Sequence, residues 1–322
     1  MNEAQLVARV RELFSDRIGD DAAVVGEQVI TTDLLVEDVD FTRAIPIEFI
    51  ARKSLAVNLS DLAAMGATPS HAVVALALPE WAQPHADKLL TALAGMAREH
   101  RIEIVGGDLS RAEKLTIAIT AIGTAARPLL RSGARPGDRI YVSRPIGGSA
   151  AGLHLLQNGW SVNGDAPGKW GYAEREFASS AIRRHVDPSP EIALGMKLAA
   201  IREVTACIDI SDGLSTDLHH LVDASQCGAE IERERLPIFP DLLGAGAALG
   251  IRPQDAVLHG GEEYALLFTS TLRESEMSVR AGRPVYMIGR ITRDRGVLLK
   301  QDGVPSALEA KGWDHFAAQV SS

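Results

Sequence analysis

The sequence predicts an α+β protein of two domains, and three observations carry that expectation. β-runs and helical periodicities alternate without a strict βαβ rhythm, which argues against a doubly wound parallel sheet. The chain has 322 residues, 46% of them hydrophobic, enough to bury a large core and more than one domain usually holds. Between Thr124 and Asp138, Pro, Gly and Arg crowd a stretch with no periodicity. The expected domains are therefore 1–135 and 136–322.

The elements follow in order. Met1 to Phe14 sets Leu6, Val10, Leu13 and Phe14 on one helix face. The acidic turn Gly19-Asp20-Asp21 runs into a strand ending at Val25, and Val29 to Thr32 predicts another, closed by Asp33. Pro46 opens a long helix that Gly66 stops. Ser70–Leu78 is a buried strand, Pro84–His100 a helix, Ile102–Val105 a short strand ending in Gly106-Gly107-Asp108, and Leu115–Gly123 a strand.

The second half begins with strand Arg139–Val142, a Gly147-Gly148-Ser149 turn and helix Ala150–Gln157. A polar loop, Ser161–Gly171, separates this from helices near Glu174–Arg184 and Pro190–Ile201. Strand Thr205–Ile210 then turns at Asp212-Gly213 into a helix with Leu214, Leu218, Leu221 and Val222 at helical spacing. Ala229–Glu232, Tyr264–Thr269 and Val285–Arg290 read as further strands.

Composition excludes several classes. A net charge of −9 and a pI near 5.5 argue against a general nucleic-acid binder. The longest apolar run, Ala72–Leu78, is too short to cross a bilayer, and the charged N-terminus is no secretory signal. Cys207 and Cys227 are too few for a disulfide framework. A cytoplasmic protein is expected.

The chemistry lies in aspartates at strand ends or beside glycines: Asp20, Asp21, Asp33, Asp108, Asp209 and Asp212. Asp61 sits inside an otherwise apolar helix, where an ionised carboxylate is costly unless paired or metal-bound. Converging carboxylates ~4 Å apart repel by roughly 4 kcal/mol per pair at an effective dielectric near 20. Oxygen-only donors favour Mg²⁺ or Ca²⁺ over zinc, and Mg²⁺ is commonly shared with substrate phosphates. The P-loop and protein-kinase signatures are absent, and spacing assigns no Ser-His-Asp or Cys-His set. Gly260-Gly261-Glu262-Glu263-Tyr264 puts acids at a glycine turn before a strand. Gly312-Trp313-Asp314-His315-Phe316 offers a large aromatic to pack or to stack on a flat ligand.

Together, Gly19–Ala23, Thr31-Thr32-Asp33, Asn58–Gly66, Gly106-Gly107-Asp108, Arg131–Asp138, Asp209–Leu214 and Gly260-Gly261-Glu262 resemble the thiamine-monophosphate kinase family of the aminoimidazole-ribonucleotide-synthetase-like superfamily. The resemblance spans nearly the whole chain. It implies a two-domain α+β homodimer joined through its N-terminal domains, with the active site in a cleft. It also implies transfer of the ATP γ-phosphoryl group to thiamine monophosphate, giving thiamine diphosphate, with several Mg²⁺ ions.

Position by position, the resemblance implies a metal shell of Asp21, Thr31, Thr32, Asp33, Asp61, Asp108, Asp209 and Asp212. It implies ATP contacts from Gly107, Asp108, Arg131 and Ser211, and acceptor contacts from Asp40, Glu262 and Trp313. Asp40 departs from the family, which often carries a substrate-contacting histidine there, and Glu263 replaces a frequent aspartate. No general base is nominated, because the acceptor phosphate is already ionised near neutral pH. Selenophosphate synthetase is disfavoured: the first Lys is Lys53 and the first Cys is Cys207. The ending Gln319-Val320-Ser321-Ser322 lacks the cysteine of the hydrogenase-maturation relatives. The alternatives are an aminoimidazole-ribonucleotide-synthetase-type ATP-dependent ligase and a non-catalytic Mg–nucleotide-binding module.

Overall fold

A computed structural model describes residues 3–15 and 17–313. After α1 (Glu3–Leu13), the first half builds one five-stranded sheet. Its strands are β1 (Ala23–Val25), β2 (Gln28–Val36), β3 (Thr68–Leu78), β4 (Glu103–Arg111) and β5 (Thr116–Thr124), in the order β1-β2-β5-β3-β4. All neighbours are antiparallel except β3 and β4. That parallel pair needs a crossover, and α3 (Ala86–His100) supplies it. Along β5 burial alternates: Ile117, Ile119 and Ala121 are buried, while Thr116, Ala118 and Thr120 turn to the other face. The long helix α2 (Ile47–Ala64) packs on β2, β5 and α3.

The second half forms a mixed seven-stranded sheet, β12-β11-β8-β10-β6-β9-β7. Its members are β6 (Arg139–Val142), β7 (Val204–Asp209), β8 (Gly228–Glu232), β9 (Leu266–Ser270), β10 (Tyr286–Thr292), β11 (Gly296–Gln301) and β12 (Val304–Ala307). With it come α4 (Gly148–Gln157), α5 (Tyr172–Val186), α6 (Ile192–Ala200), α7 (Leu214–Ala224), α8 (Pro253–His259) and α9 (Glu274–Ala281). The α+β expectation holds. Among the described residues no helix is long and apolar enough to cross a membrane.

α2 belongs to both halves. It packs on α6 and β7 as well as on the first sheet, so its residues are buried on nearly every side. Arg52 reaches Asp187 at 2.7 Å, and the Ser60 hydroxyl donates to Asp209 Oδ2 at 2.5 Å. A helix buried all round has no solvent face for polar side chains. Its buried Lys53, Asn58 and Ser60 must therefore find partners inside the protein.

Two elements differ from expectation. β4 does not end at Val105 but runs through Gly106-Gly107-Asp108 to Arg111. A Cβ on Gly107 would lie 1.8 Å from the Val74 carbonyl oxygen, so glycine here permits close strand approach and is not a stop. The β11–β12 hairpin was not anticipated. Its turn, Asp302 (φ 50°) and Gly303 (φ 80°), is the left-handed pair that two-residue hairpins favour.

Candidate active site

A cleft of about 560 Å³ opens between the two halves. Asp33, Asp40, Val57 and Asp61 line it from the first half, and Asp209, Ser211, Asp212, Glu262, Tyr264 and Trp313 from the second. The β7–α7 junction aims its acids inward because the strand ends at Asp209 and the chain turns at Gly213 (φ 121°). A Cβ on Gly213 would meet the His259 carbonyl oxygen at 2.8 Å.

Asp21, Asp61 and Asp209 each offer a carboxylate oxygen within 4.8 Å of the others. Thr31 donates to Asp61 Oδ2 at 2.5 Å, and the Asp33 amide donates to Asn58 Oδ1 at 3.2 Å. Three buried oxygens, Asp21 Oδ2, Asp33 Oδ2 and Asp209 Oδ1, have no hydrogen-bond partner. Burial and like charges act together on these acids. Burial first, then Asp21 and Asp33 against Ser60 and Arg131, pushes Asp209 up to about 8. Burial outweighs a hydrogen bond to Asp61 and, helped by the charges of Asp40 and Asp21, raises Asp33 to about 6. Asp61 rises well above the carboxylate range through burial and the charges of Asp33, Asp209 and Asp21. Burial raises Asp21 also, although Arg131 Nη2 pairs with it at 2.8 Å.

Against the Ser211 carbonyl, which accepts its amide at 2.6 Å, stands Glu262. Lys53 Nζ lies 2.5 Å from its Oε1, and His185 Nδ1 lies 3.1 Å from its Oε2. Burial opposes ionisation, but Lys53 and His185 hold the carboxyl below its usual range. Burial and Lys53 push His185 down to about 4, so it is neutral near pH 7. Glu262 and Tyr264 both have positive φ, 58° and 49°, a strained backbone for residues with a Cβ. The loop is pinned by the Arg144 guanidinium, which donates to the carbonyls of Glu263 (2.6 Å) and Tyr264 (2.8 Å). Glu263 faces away from the cleft space and accepts the Gly147 and Ser149 amides at the start of α4, both at 2.8 Å. Trp313 is half exposed on the rim, its amide donating to the Asp212 carbonyl.

Family models for the AIR synthase related protein match both halves, the N-terminal domain over residues 19–125 and the C-terminal domain over 135–299. The thiamine-monophosphate kinase of Escherichia coli (strain K12) is 39% identical over 314 residues, covering 93% of this chain and 91% of that protein. The chain belongs to the thiamine-monophosphate kinase family. The Bacillus subtilis (strain 168) member is 34% identical over 318 residues, covering 93% of each chain. The solved structure of AaThiL complexed with AMPPCP and TMP superposes with a TM-score of 0.86 at 32% identity, over 98% of this chain and 97% of that one. The hydrogenase maturation protein HypE in complex with ATP (TM-score 0.68, 20% identity, 95% of this chain and 94% of that one) shares the fold alone.

The residues that suggested this family do not all converge. Asp21, Thr31, Asp33, Asp61 and Asp209 come together, and Asp40, Ser211, Asp212, Glu262 and Trp313 line the same cleft. Thr32 points to the opposite face of β2, where its hydroxyl meets Thr120 at 2.8 Å. Gly107 and Asp108 lie on exposed β4, three strands from β2 and so about 14 Å across the sheet. The Arg131 fork is engaged by Asp21, and its backbone amide donates to Asp20. Asp40 Oδ2 accepts the Val36 amide at 2.7 Å, tying that carboxylate into its own turn. Asp314, His315 and Phe316 lie outside the described residues.

Sequence reasoning missed Lys53, His185, Ser60 and Arg144. Lys53 carried a usable signal, a cation that with its neighbour Arg52 interrupts the same apolar helix as Asp61. His185 and Arg144 lay in ordinary local contexts, and only the fold brings them to Glu262 and its loop. A second donor group, Asp212, Asp217 and His220, surrounds the turn before α7, with the Asp212 and Gly213 amides donating to Asp217 Oδ2.

Proposed function

We propose that this protein transfers the γ-phosphoryl group of ATP to the phosphate of thiamine monophosphate, giving thiamine diphosphate. It is a kinase with ATP as co-substrate. The observation that carries the reading is one cleft lined by carboxylates from both halves together with Glu262 and Trp313. Two polyanions can approach each other there only if the acidic wall is neutralised.

Mg²⁺ fits that wall: every donor is oxygen, three buried carboxylate oxygens are unpartnered, and the acids repel one another. Asp21, Asp33, Asp61 and Asp209 would hold it, with Thr31 and Ser60 fixing the rotamers of Asp61 and Asp209. Bound magnesium supplies charge neutralisation and a template for aligning phosphates. Asp212 and Ser211, at the start of α7, belong to the nucleotide and metal side of the cleft in this proposal. Arg131 sets Asp21 and presents a guanidinium suited to phosphate oxygens. Glu262 and Trp313 contact the acceptor, the indole facing an aromatic ring or the thiazolium. Asp40 lines the acceptor side with one oxygen already committed to Val36. The acceptor phosphate has a second pKa near 6 and is ionised at neutral pH, so its oxygen needs no general base.

The remaining parts of the proposal are a homodimer, a cytoplasmic location and a domain boundary at 135/136. The family models match 19–125 and 135–299, the second beginning one residue before that boundary. Leu34, Val73, Val105 and Leu109 are exposed on the first sheet. Gly107 and Asp108, too far across the sheet to act within their own chain, join a nucleotide site only through a second copy. Thr32 enters a metal shell only through its main chain.

Purified protein with ATP, Mg²⁺ and thiamine monophosphate tests the function, with thiamine diphosphate followed by chromatography. Product should form with the monophosphate, and none with free thiamine or with EDTA. ATP binding without turnover would favour the non-catalytic module, and ring closure of formylglycinamidine ribonucleotide would favour the ligase. Light scattering of the same sample tests the dimer.

A further inference from the structure

The geometry points to Lys53 as a positioning residue for the acceptor: from the interior of α2 it holds the Glu262 carboxylate in the cleft and balances its charge. This inference rests on the proposed acceptor role of Glu262.

Lys53 is 2% exposed, and its ammonium reaches Oε1 of Glu262 at 2.5 Å. Among the described ion pairs it has no other carboxylate partner. A buried ammonium without a counter-ion is among the costliest arrangements a core can hold, so Lys53 is committed to Glu262. Glu262 needs that commitment in return. Its backbone is held left-handed, so the side chain leaves the loop in a fixed direction into the cleft. His185 takes the second carboxylate oxygen, and Ser149 Oγ lies 3.1 Å from the same ring nitrogen. Neutral His185 orients the carboxylate, and Lys53, the larger of the two influences that keep it ionised, balances its charge.

The consequence concerns a phosphorylated, cationic acceptor. The cleft is already rich in carboxylates: Asp33, Asp40, Asp61, Asp209 and Asp212 line it with Glu262. An unbalanced Glu262 would repel the acceptor phosphate or swing from its direction. Balanced from behind, it accepts hydrogen bonds from the acceptor without adding a net charge. Because Lys53 stands on the helix shared by both halves, acceptor binding is also tied to the seating of α2 against the second half.

The test is a double-mutant cycle over Lys53→Met and Glu262→Gln, reading kcat and the KM for each substrate. Lys53→Met should raise the KM for thiamine monophosphate about 10- to 100-fold, with the KM for ATP changed less than about twofold. In the Glu262→Gln background the same change should add less than about twofold, because the group it serves is gone. The double variant carries two neutral side chains and remains informative if Lys53→Met alone fails to fold. Unchanged acceptor KM in active Lys53→Met, equal rises in both KM values, or full additivity in the double variant would overturn the assignment. A wild-type protein that forms no thiamine diphosphate would instead overturn the kinase reading and this inference with it.

Discussion

Replacing Asp209 with Asn should stabilise the metal-free protein while abolishing its activity, two effects of opposite sign from one atom. Asp209 Oδ2 accepts the Ser60 hydroxyl, and an asparagine carbonyl can take that bond unchanged. What disappears is a negative charge within 4.8 Å of Asp21 and Asp61. Each ionised pair at that range costs roughly 3 to 4 kcal/mol at an effective dielectric near 20. Protonation relieves much of this near neutral pH, since Asp209 is pushed up to about 8, and lost attraction to Arg131 offsets part of the rest. The net gain at pH 8.5 should be about 1 to 3 kcal/mol, raising Tm by about 1 to 5 °C in EDTA. Saturating Mg²⁺ should reverse the order, because the variant loses the stabilisation that binding confers. Turnover should fall at least about 100-fold. Thermal melts in EDTA and in Mg²⁺, with a coupled ADP assay, measure all three. A variant that melts below wild type in EDTA, or keeps most of its turnover, would refute the metal-shell assignment.

Two further outcomes are expected. Metal-free protein should lose stability as pH rises from 6.5 to 8.5: a carboxyl whose folded pKa is raised stabilises below its unfolded pKa, and that contribution is lost as pH climbs through the folded value. Asp209 at about 8 titrates in the upper part of this window; folded His185, lowered to about 4, stays neutral, while its unfolded form sheds a proton near 6.5 and opposes the loss there, so the fall is read between pH 7.5 and 8.5. The slope should approach roughly 1.4 kcal/mol per pH unit for each proton the folded state retains, and Mg²⁺ should flatten it; a flat metal-free profile would contradict the crowded acids. Trp313→Ala should raise the acceptor KM about 3- to 30-fold and leave the KM for ATP unchanged, if the indole stacks on the acceptor; equal effects on both substrates would place it elsewhere.

Much of this was legible because local signals and the fold agree. The long apolar helix with Asp61, the Asp209–Asp212 strand-to-helix turn and the acidic Gly19–Asp21 turn each form where periodicity and turn chemistry put them. β4 was misjudged because Gly-Gly reads equally as a stop and as a site of close strand approach, and only the partner Val74 distinguishes them. Thr32 and Thr31 are neighbours in sequence but face opposite sides of β2, a period-2 consequence that motif matching overlooks. The sequence offers Asp40 as an acceptor contact, and no local pattern shows that it also accepts the Val36 amide. Glu263 reads in sequence only as an acid at a glycine turn, and the fold carries it to the start of α4, where it accepts the Gly147 and Ser149 amides. Lys53 and Glu262 lie 209 positions apart (262 − 53), and no local pattern pairs them.

The central claim is phosphoryl transfer between two bound phosphates, and ³¹P NMR of one reaction mixture tests it most directly. With ATP, Mg²⁺ and thiamine monophosphate, the β-phosphate resonance of thiamine diphosphate should grow one-for-one with ADP while inorganic phosphate stays flat. ADP accompanied by inorganic phosphate and no thiamine diphosphate would contradict it.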